Sequence, residues 1–214
     1  MIFCEAEQGS SEWLIDRLCR ITGSNAHKLS TPAKMKTYMD ELAVEAVTQE
    51  PTFIKPTKDM ERGTFLEPFA RDAFVQHMLP QTDFSFEVKE VGFIQSELNS
   101  RWGCSVDGMT NDGGIIEVKC RNDKNHLADF ISIKKEAMYQ MQWNMLISET
   151  SHCYFVGFSD RFESMPLARL NVQKIERDEE LIGKLKDWAE TATSMLELKL
   201  IELQQCIELF GAGK

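Results

Sequence analysis

The amino-acid sequence predicts an α/β (α+β) domain in which helices flank a central mixed β-sheet. Apolar residues with helical spacing occupy both ends of the chain, whereas short apolar runs with strand-like alternation cluster in the middle, around one further helical segment. This order places helices first, then strands with an inserted helix, and a helix last. It is typical of a sheet covered by helices. At 214 residues the chain is interpreted as a single domain, 1–214.

The first third of the chain is expected to be helical. Ser10 is a candidate N-cap for a short helix that ends near Leu18. Further helices are predicted over 36–48 and 61–78 from the spacing of their apolar residues. Pro68 lies inside the second of these and is expected to kink it or to begin a new first turn.

The middle of the chain is expected to form strands. Residues 86–94 alternate like a single strand. Two short runs, 102–109 and 115–120, are separated by Asn111-Asp112-Gly113-Gly114, and this turn sequence predicts a β-hairpin. Two more strands are expected later, at 152–158 and, more weakly, at 167–173.

Two helical segments complete the expected elements. Residues 134–147 carry Met138, Met141 and Met145 on one stripe, which is interpreted as core. A C-terminal helix is expected over about 178–210, either as one long helix or as two.

The composition excludes some functions. No apolar run approaches the roughly 20 residues of a membrane span, and the first residues lack the pattern of a signal peptide, so a cytoplasmic protein without a membrane partner is expected. The six cysteines include no C-x-x-C pair, which argues against a zinc site or an iron–sulfur cluster. The formal charge is −10, yet basic residues cluster over 17–39 and 119–135, and these two segments are candidates to face phosphates.

One group of residues in the predicted hairpin has the chemistry of a metal site. Asp107 is followed, after nine intervening residues, by Glu117-Val118-Lys119. In the hairpin, Asp107 would end one strand and Glu117 would lie on its partner, so that two carboxylates converge on one hard cation such as Mg²⁺. Val118 offers a carbonyl oxygen, and Lys119 shares the strand face of Glu117. The arrangement predicts metal-assisted phosphodiester hydrolysis.

The same residues also have a structural interpretation, because a D…E-x-K string is short and arises often by chance. A surface hairpin with charged outer residues is the alternative, and for the string alone it is the more frequent explanation. Glu117 and Lys119, however, stand in the otherwise apolar run Ile115–Cys120. A charged pair in such a run needs either an edge position or a metal partner.

Four motifs in order resemble the phage lambda-type exonucleases, a branch of the restriction-endonuclease-like nucleases of the PD-(D/E)xK superfamily. They span about residues 8–185: Gln8–Trp13 with Arg17 and Ile21–Ser24, Gly63–Ala70, Cys104–Met109 with Glu117–Cys120, and Tyr139–Met145. Val106 stands where many members carry proline before the aspartate, a position that supplies no side-chain ligand. The resemblance implies a restriction-endonuclease-like nuclease domain with its catalytic core at about 61–160.

The resemblance also implies the roles of the matching residues. Lys119 would position the nucleophilic water, Glu67 would approach the metals directly or through water, and Gln140 would orient Lys119 or the water. The metal, expected as two Mg²⁺ ions with Mn²⁺ as an acceptable substitute, would be held by Asp107, Glu117 and the carbonyl of Val118. For Glu67 and Gln140 the alternative is an ordinary solvated position on a helix.

A second set of matching residues implies a site for the DNA end. Arg17, Ser24 and Ser105 match positions that bind the terminal 5′-phosphate, and Trp13 would touch a terminal base. Arg17 also has independent support, since a forked guanidinium suits phosphate oxygens and Arg17 lies in a stretch without acidic residues.

Structural alternatives remain open for two of these residues, and one further residue stays unassigned. Arg17 could instead pair with Asp16 or Glu12, and Trp13 could be plain core. A further basic residue of the family falls near Lys124 and Asn125, where the match is too loose for an assignment.

The expected function is therefore a Mg²⁺-dependent 5′→3′ exonuclease that acts on double-stranded DNA from 5′-phosphorylated ends, giving mononucleotides and a 3′ single-stranded tail for phage-type recombination. The resemblance further implies a ring-shaped homotrimer and a single-strand annealing protein as partner, in the cytoplasm of a bacterial host. Two alternatives remain, an endonuclease of the same superfamily and a non-catalytic DNA-end-binding recombination protein.

Overall fold

The computed structural model describes residues 1–52 and 55–211. The α-helices are α1 (Ser11–Arg17), α2 (Pro32–Thr48), α3 (Lys58–Met78), α4 (Asp123–Asp129), α5 (Lys135–Ser148) and α6 (Glu179–Gly211). The strands are β1 (Ile2–Phe3), β2 (Val88–Lys89), β3 (Phe93–Gln95), β4 (Gly103–Ser105), β5 (Gly108–Thr110), β6 (Ile115–Lys119), β7 (His152–Phe158) and β8 (Leu170–Glu176). Short 3-10 helices cover Gly23–Ser30, Leu79–Gln81 and Pro166–Arg169.

The N-terminal helices begin where capping residues stand. Ser10 accepts a hydrogen bond from the Trp13 N–H at 3.1 Å and begins α1, as predicted. Thr31 caps α2 and is followed directly by Pro32, so this helix starts earlier than the predicted residue 36. Pro68 lies inside α3 without ending it. In the described part of the chain, no helix is long and apolar enough to cross a membrane.

Two β-sheets carry the strands. The larger has the order β2-β5-β6-β7-β8, in which β6 and β7 pair in parallel and the other neighbours are antiparallel. The smaller has the order β1-β3-β4 and is antiparallel. The chain between β6 and β7 contains α4 and α5, so α5 belongs to the crossover that a parallel pair requires.

The prediction of one strand over 86–94 is wrong, because this segment contributes β2 and β3 to different sheets. Gly92 lies between them, and a Cβ there would come within 2.7 Å of the Cys4 carbonyl oxygen. The run 102–109 is likewise divided, into β4 of the small sheet and β5 of the large one. Apolar alternation predicts strands correctly here but cannot predict which neighbour each strand pairs with.

The predicted turn at 111–114 is confirmed. It joins β5 to β6, with the Thr110 N–H donating to the Gly114 carbonyl at 3.0 Å. The hairpin therefore consists of β5 and β6, and its first strand is shorter than predicted. The expected weak strand at 167–173 is β8, which begins only after the 3-10 turn at Pro166–Arg169.

Helices cover both faces of the large sheet. On one face, the buried side of α3 packs against Ile116 and Val118 of β6 together with residues of β7. On the other face, Ile115 and Phe155 share a core with α2, α5 and α6. The methionine stripe of α5 belongs to this second core, since Met141 and Met145 are fully buried. The arrangement agrees with the predicted fold class.

Two glycine substitutions should change stability in opposite directions. Gly113 has a φ of 87° in the hairpin turn, so Gly113→Ala should lower the free energy of unfolding by about 1 kcal/mol. Gly183 is exposed in α6, with no atom within 4 Å of an added Cβ, so Gly183→Ala should raise it by about 1 kcal/mol through helix propensity. Urea denaturation followed by circular dichroism measures both, and a neutral Gly113→Ala would contradict the turn geometry.

Candidate active site

Asp107 lies where the chain leaves the small sheet and enters the large one. Its backbone N–H donates to the Ile116 carbonyl at 3.3 Å, and its Oδ2 accepts from the Val118 N–H at 2.6 Å. The residue follows β4 and precedes β5, so the prediction that it ends a hairpin strand is wrong in this detail. Its carboxylate nevertheless reaches the middle of the Glu117-Val118-Lys119 run, as the sequence predicts.

Glu117 and Lys119 lie on one face of β6, as their spacing predicts, and both contact α5. The Lys119 ammonium donates to Oε1 of Glu117 and, at 3.2 Å, to Oε1 of Gln140. Asn144 Nδ2 donates to the other carboxylate oxygen of Glu117 at 3.1 Å. Glu117 is only 1% exposed, and each of its oxygens has its own donor.

Negative charge is incompletely compensated in this cluster. Burial and then the charge of Glu117 raise the pKa of Asp107 well above its ordinary value, against the opposing effects of Lys119 and Arg71. Burial lowers the pKa of Lys119, but the charges of Glu117 and Asp107 outweigh it, so this pKa is raised overall. Two carboxylates beside a single ammonium in a poorly solvated place favour the binding of a further cation.

Glu67 approaches the cluster from α3. Arg71, one turn further along the helix, donates to Oε1 of Glu67 at 2.7 Å and to the Asp107 carbonyl at 3.3 Å. The same guanidinium pairs with Glu90 at 2.8 Å. Burial and the charge of Asp107 raise the pKa of Glu67. The side chain is therefore held next to the cluster and is not the freely solvated helix carboxylate of the alternative interpretation.

The donor atoms of the cluster fit Mg²⁺. Asp107, Glu117 and the Val118 carbonyl offer hard oxygen ligands, and Mg²⁺ commonly takes one or two carboxylates while it keeps several waters. Throughout residues 1–52 and 55–211, no three His, Cys, Asp or Glu side chains gather as a metal-binding group. The donor set is thus too small for a dedicated protein cage and is of the kind that Mg²⁺ uses with a phosphate substrate.

A cavity of about 350 Å³ opens at the C-terminal end of β6. Glu67, Val118 and Lys119 line it, together with Asn125 from α4. The pair Lys124 and Asn125 could not be assigned from the sequence; of the two, Asn125 belongs to the lining of this cavity. The opening gives a substrate access to Lys119, which is otherwise largely enclosed.

Trp13, Arg17 and Ser24 line a second cavity of about 740 Å³. The Ser105 hydroxyl accepts from Arg17 Nη1 at 2.7 Å and from Trp13 Nε1 at 3.1 Å, and the guanidinium lies 4.3 Å from the Trp13 ring centroid. The structure therefore brings the four predicted end-binding residues together. Met60 lines both cavities, so the two adjoin.

The alternative of an ion pair for Arg17 is wrong. Among the described side chains, no carboxylate lies within ion-pair distance of its guanidinium, although Asp16 is its neighbour in the sequence. Burial lowers the pKa of Arg17, but a guanidinium stays protonated in proteins. A positive charge without a carboxylate partner in a cavity is suited to an anionic ligand.

Two residues of the site were missed by the sequence analysis. Arg71 lies four residues after Glu67, and this helical spacing is a signal that could have found it. Asn144 belongs to a motif of the family, but nothing local indicates that its amide reaches Glu117. Both contacts join distant parts of the chain, so only the fold shows them.

Removal of the Asp107 charge should stabilise the protein in metal-free buffer. The folded state raises this pKa, so ionisation opposes folding, and the penalty grows as the pH rises above about 3.9 toward the raised value. At pH 8, Asp107→Asn should therefore increase the free energy of unfolding by up to about 4 kcal/mol. Urea denaturation across pH measures this effect.

Asp112 in the same hairpin provides the control of opposite sign. Although burial acts to raise its pKa, hydrogen bonds from Thr110 and Tyr154 and the nearby His152 lower it overall. Asp112→Asn should consequently destabilise the protein at the same pH. Destabilisation by Asp107→Asn would contradict the electrostatic description of the site.

Solved exonuclease structures are similar to this chain. An alkaline exonuclease from Laribacter hongkongensis, LHK-Exo, is 29% identical to this chain, and the match covers 94% of this chain and 100% of LHK-Exo. The TM-score is 0.84 for its complex with dAMP and 0.83 for a second structure. A phage-related exonuclease from Haemophilus somnus 129PT is 19% identical with a TM-score of 0.63, covering 86% and 96%, and shares the fold. The predicted fold class is thereby confirmed, and a nuclease role is supported.

The sequence comparisons lead to the same family. No curated protein matches the chain significantly. Residues 12–151, more than half of the chain, match the YqaJ-like viral recombinase domain. This range includes the acidic cluster and the residues around Arg17. The chain belongs to the family of YqaJ-like viral recombinase domains, which agrees with the resemblance to phage lambda-type exonucleases.

Proposed function

We propose that the protein is a Mg²⁺-dependent 5′→3′ exonuclease that degrades double-stranded DNA from 5′-phosphorylated ends. It would release mononucleotides and leave a 3′ single-stranded tail. One observation carries the proposal: the cavity lined by Glu67, Val118 and Lys119 adjoins the cavity with Arg17, and Met60 lines both. A terminal phosphate at Arg17 and a phosphodiester at the cluster can then belong to the same strand end.

The proposed cation has a defined set of ligands. Asp107, Glu117 and the Val118 carbonyl would hold Mg²⁺, or Mn²⁺ in its place, because both metals accept oxygen ligands. The bound metal would stabilise the negative charge that develops on the phosphate. The apolar surroundings of Glu117 strengthen this interaction, since few waters compete there.

Lys119 acts as a hydrogen-bond donor in this proposal. The charges of Glu117 and Asp107 raise its pKa, and the ammonium can hold the attacking water or a phosphate oxygen. Gln140 accepts one of its N–H groups and Glu117 another, which leaves the third N–H for the substrate. Gln140 therefore sets the direction of Lys119.

Arg17 is well prepared to bind a phosphate. The Ser105 hydroxyl and the Trp13 ring hold its guanidinium in place, so little side-chain entropy remains to be lost on binding. Ser24 adds a hydroxyl to the same cavity wall. The structure of LHK-Exo with dAMP supports a nucleoside monophosphate as the product class.

The substrate range tests the proposal directly. Linear duplex DNA with 5′-phosphates and labelled ends should lose its 5′ label as mononucleotides when Mg²⁺ is present, whereas covalently closed circular DNA should stay intact. Lys119→Ala should abolish digestion and leave binding of the linear duplex largely unchanged, because the end pocket is separate. Gel analysis and filter binding give both readouts.

Each alternative function has its own outcome in this assay. Cutting of the circular DNA would show an endonuclease, and binding of ends without digestion would show a non-catalytic end-binding protein. Near-normal turnover in Lys119→Ala would remove this lysine from the mechanism.

Arg17→Ala should impair the enzyme mainly on 5′-phosphorylated ends. A hydrogen bond to a charged group contributes about 1.5–3 kcal/mol, so kcat/KM should fall about 10- to 100-fold on these ends and much less on 5′-hydroxyl ends. Lys184→Ala is a charge-matched control, since Lys184 is exposed on α6 and pairs with Glu180. An equal loss on both kinds of end would contradict the pocket assignment.

A further inference from the structure

Asn144 is buried in the C-terminal half of α5, next to the proposed metal-binding carboxylate. It is fully buried, and its Nδ2 donates to Glu117 Oε2 at 3.1 Å. Because Lys119 occupies the other oxygen of Glu117, the amide of Asn144 determines how the carboxylate plane is rotated. This rotation decides which lone pairs of Glu117 are left for a cation.

On its other side, Asn144 faces the segment that carries Ser24. A Cβ added at Gly23 would overlap Asn144 Oδ1 and lie 3.0 Å from its Cγ. Gly23 has no left-handed φ, so the space taken by Asn144 is what excludes a side chain there. Ser24 follows directly and lines the cavity of Arg17. Asn144 thus lies between the end pocket and Glu117.

The orientation of the amide follows from chemistry. A carboxylate only accepts hydrogen bonds, so Nδ2 must face Glu117 and Oδ1 must face Gly23. Oδ1 is buried and has no hydrogen-bond partner among the described residues. An unpaired buried acceptor lowers stability, and a leucine at this position would avoid that penalty. The contact with Glu117 explains Asn144 better than packing does.

We propose that Asn144 is a positioning residue that couples occupation of the 5′-end pocket to the orientation of Glu117. A phosphate bound beside Ser24 would restrain the Gly23 segment against the amide, and the amide would then hold Glu117 in one rotation. The identity of the bound group rests on the proposed function. The coupling itself requires only that Asn144 lies against both Glu117 and the Gly23 segment.

Asn144→Leu on the full chain tests the proposal. Its affinity for Mn²⁺ alone, measured by isothermal titration calorimetry, should fall about 10- to 100-fold, as is typical when the partner of a metal ligand is lost. On 5′-phosphorylated duplex, kcat should fall while KM changes little. The ratio of kcat on 5′-phosphorylated ends to kcat on 5′-hydroxyl ends should fall toward one.

Gln142→Leu is the matched control. Gln142 is another buried amide on α5, but its partners are the Glu176 carbonyl and the Asp178 N–H, each at 2.9 Å. This variant should lose stability and keep the Mn²⁺ affinity of the parent protein. Equal Mn²⁺ loss in the two variants would overturn the proposal, because it would show a general effect of disturbing α5.

Gly23→Ala gives a second route if Asn144→Leu does not fold. It changes neither Glu117 nor any residue assigned to DNA, yet it should displace the amide and reduce both Mn²⁺ affinity and the 5′-phosphate preference in kcat. Unchanged Mn²⁺ affinity in a folded Asn144→Leu or Gly23→Ala protein would refute the coupling. A parent protein that binds Mn²⁺ but digests no DNA would contradict only the proposed function.

Discussion

The site depends on the hydrogen bond between the Val118 N–H and the carboxylate of Asp107. Asp107 lies in the passage from one sheet to the other, and this 2.6 Å bond ties it to the strand that carries Glu117 and Lys119. A slip of β6 by one residue would break the bond and turn both charged side chains to the opposite face of the sheet. The register of β6 therefore fixes the positions of all three charged side chains of the site.

The geometry concentrates charge where solvent is scarce, and this is unfavourable for folding. Glu117 shares its strand face with Ile115, in a core of apolar side chains. Lys119 and Arg71 offset part of the negative charge, but the raised pKa of Asp107 shows that the compensation is incomplete. The uncompensated negative charge lowers the stability of the folded protein. The same charge favours the binding of a cation, so the site lowers stability while it serves function.

Local features of the sequence predicted most of the fold, and long-range contacts account for what was missed. The spacing of apolar residues predicted the helices, the Ser10 cap predicted the start of α1, and the turn at 111–114 predicted the hairpin. Residues 86–94 divide between two sheets at Gly92, which closely approaches the backbone of Cys4 and Ala6, and no alternation pattern contains this contact. The contact of Asn144 with Glu117 spans 27 residues and is invisible for the same reason.

The homotrimer, the annealing partner and the cytoplasmic location stay predictions.

The single parallel strand pair of the large sheet explains how α5 can serve the site. A helix in the crossover between parallel strands runs back antiparallel to them, so later residues of α5 meet earlier residues of β6: Gln140 reaches Lys119, and Asn144 reaches Glu117. Four residues of helix rise about 6 Å, and two residues of strand rise about 6.6 Å. Amides spaced i, i+4 on α5 therefore match charges spaced i, i+2 on β6. In an antiparallel hairpin at this position no helix would intervene, and neither charged side chain would have an amide of α5 to orient it.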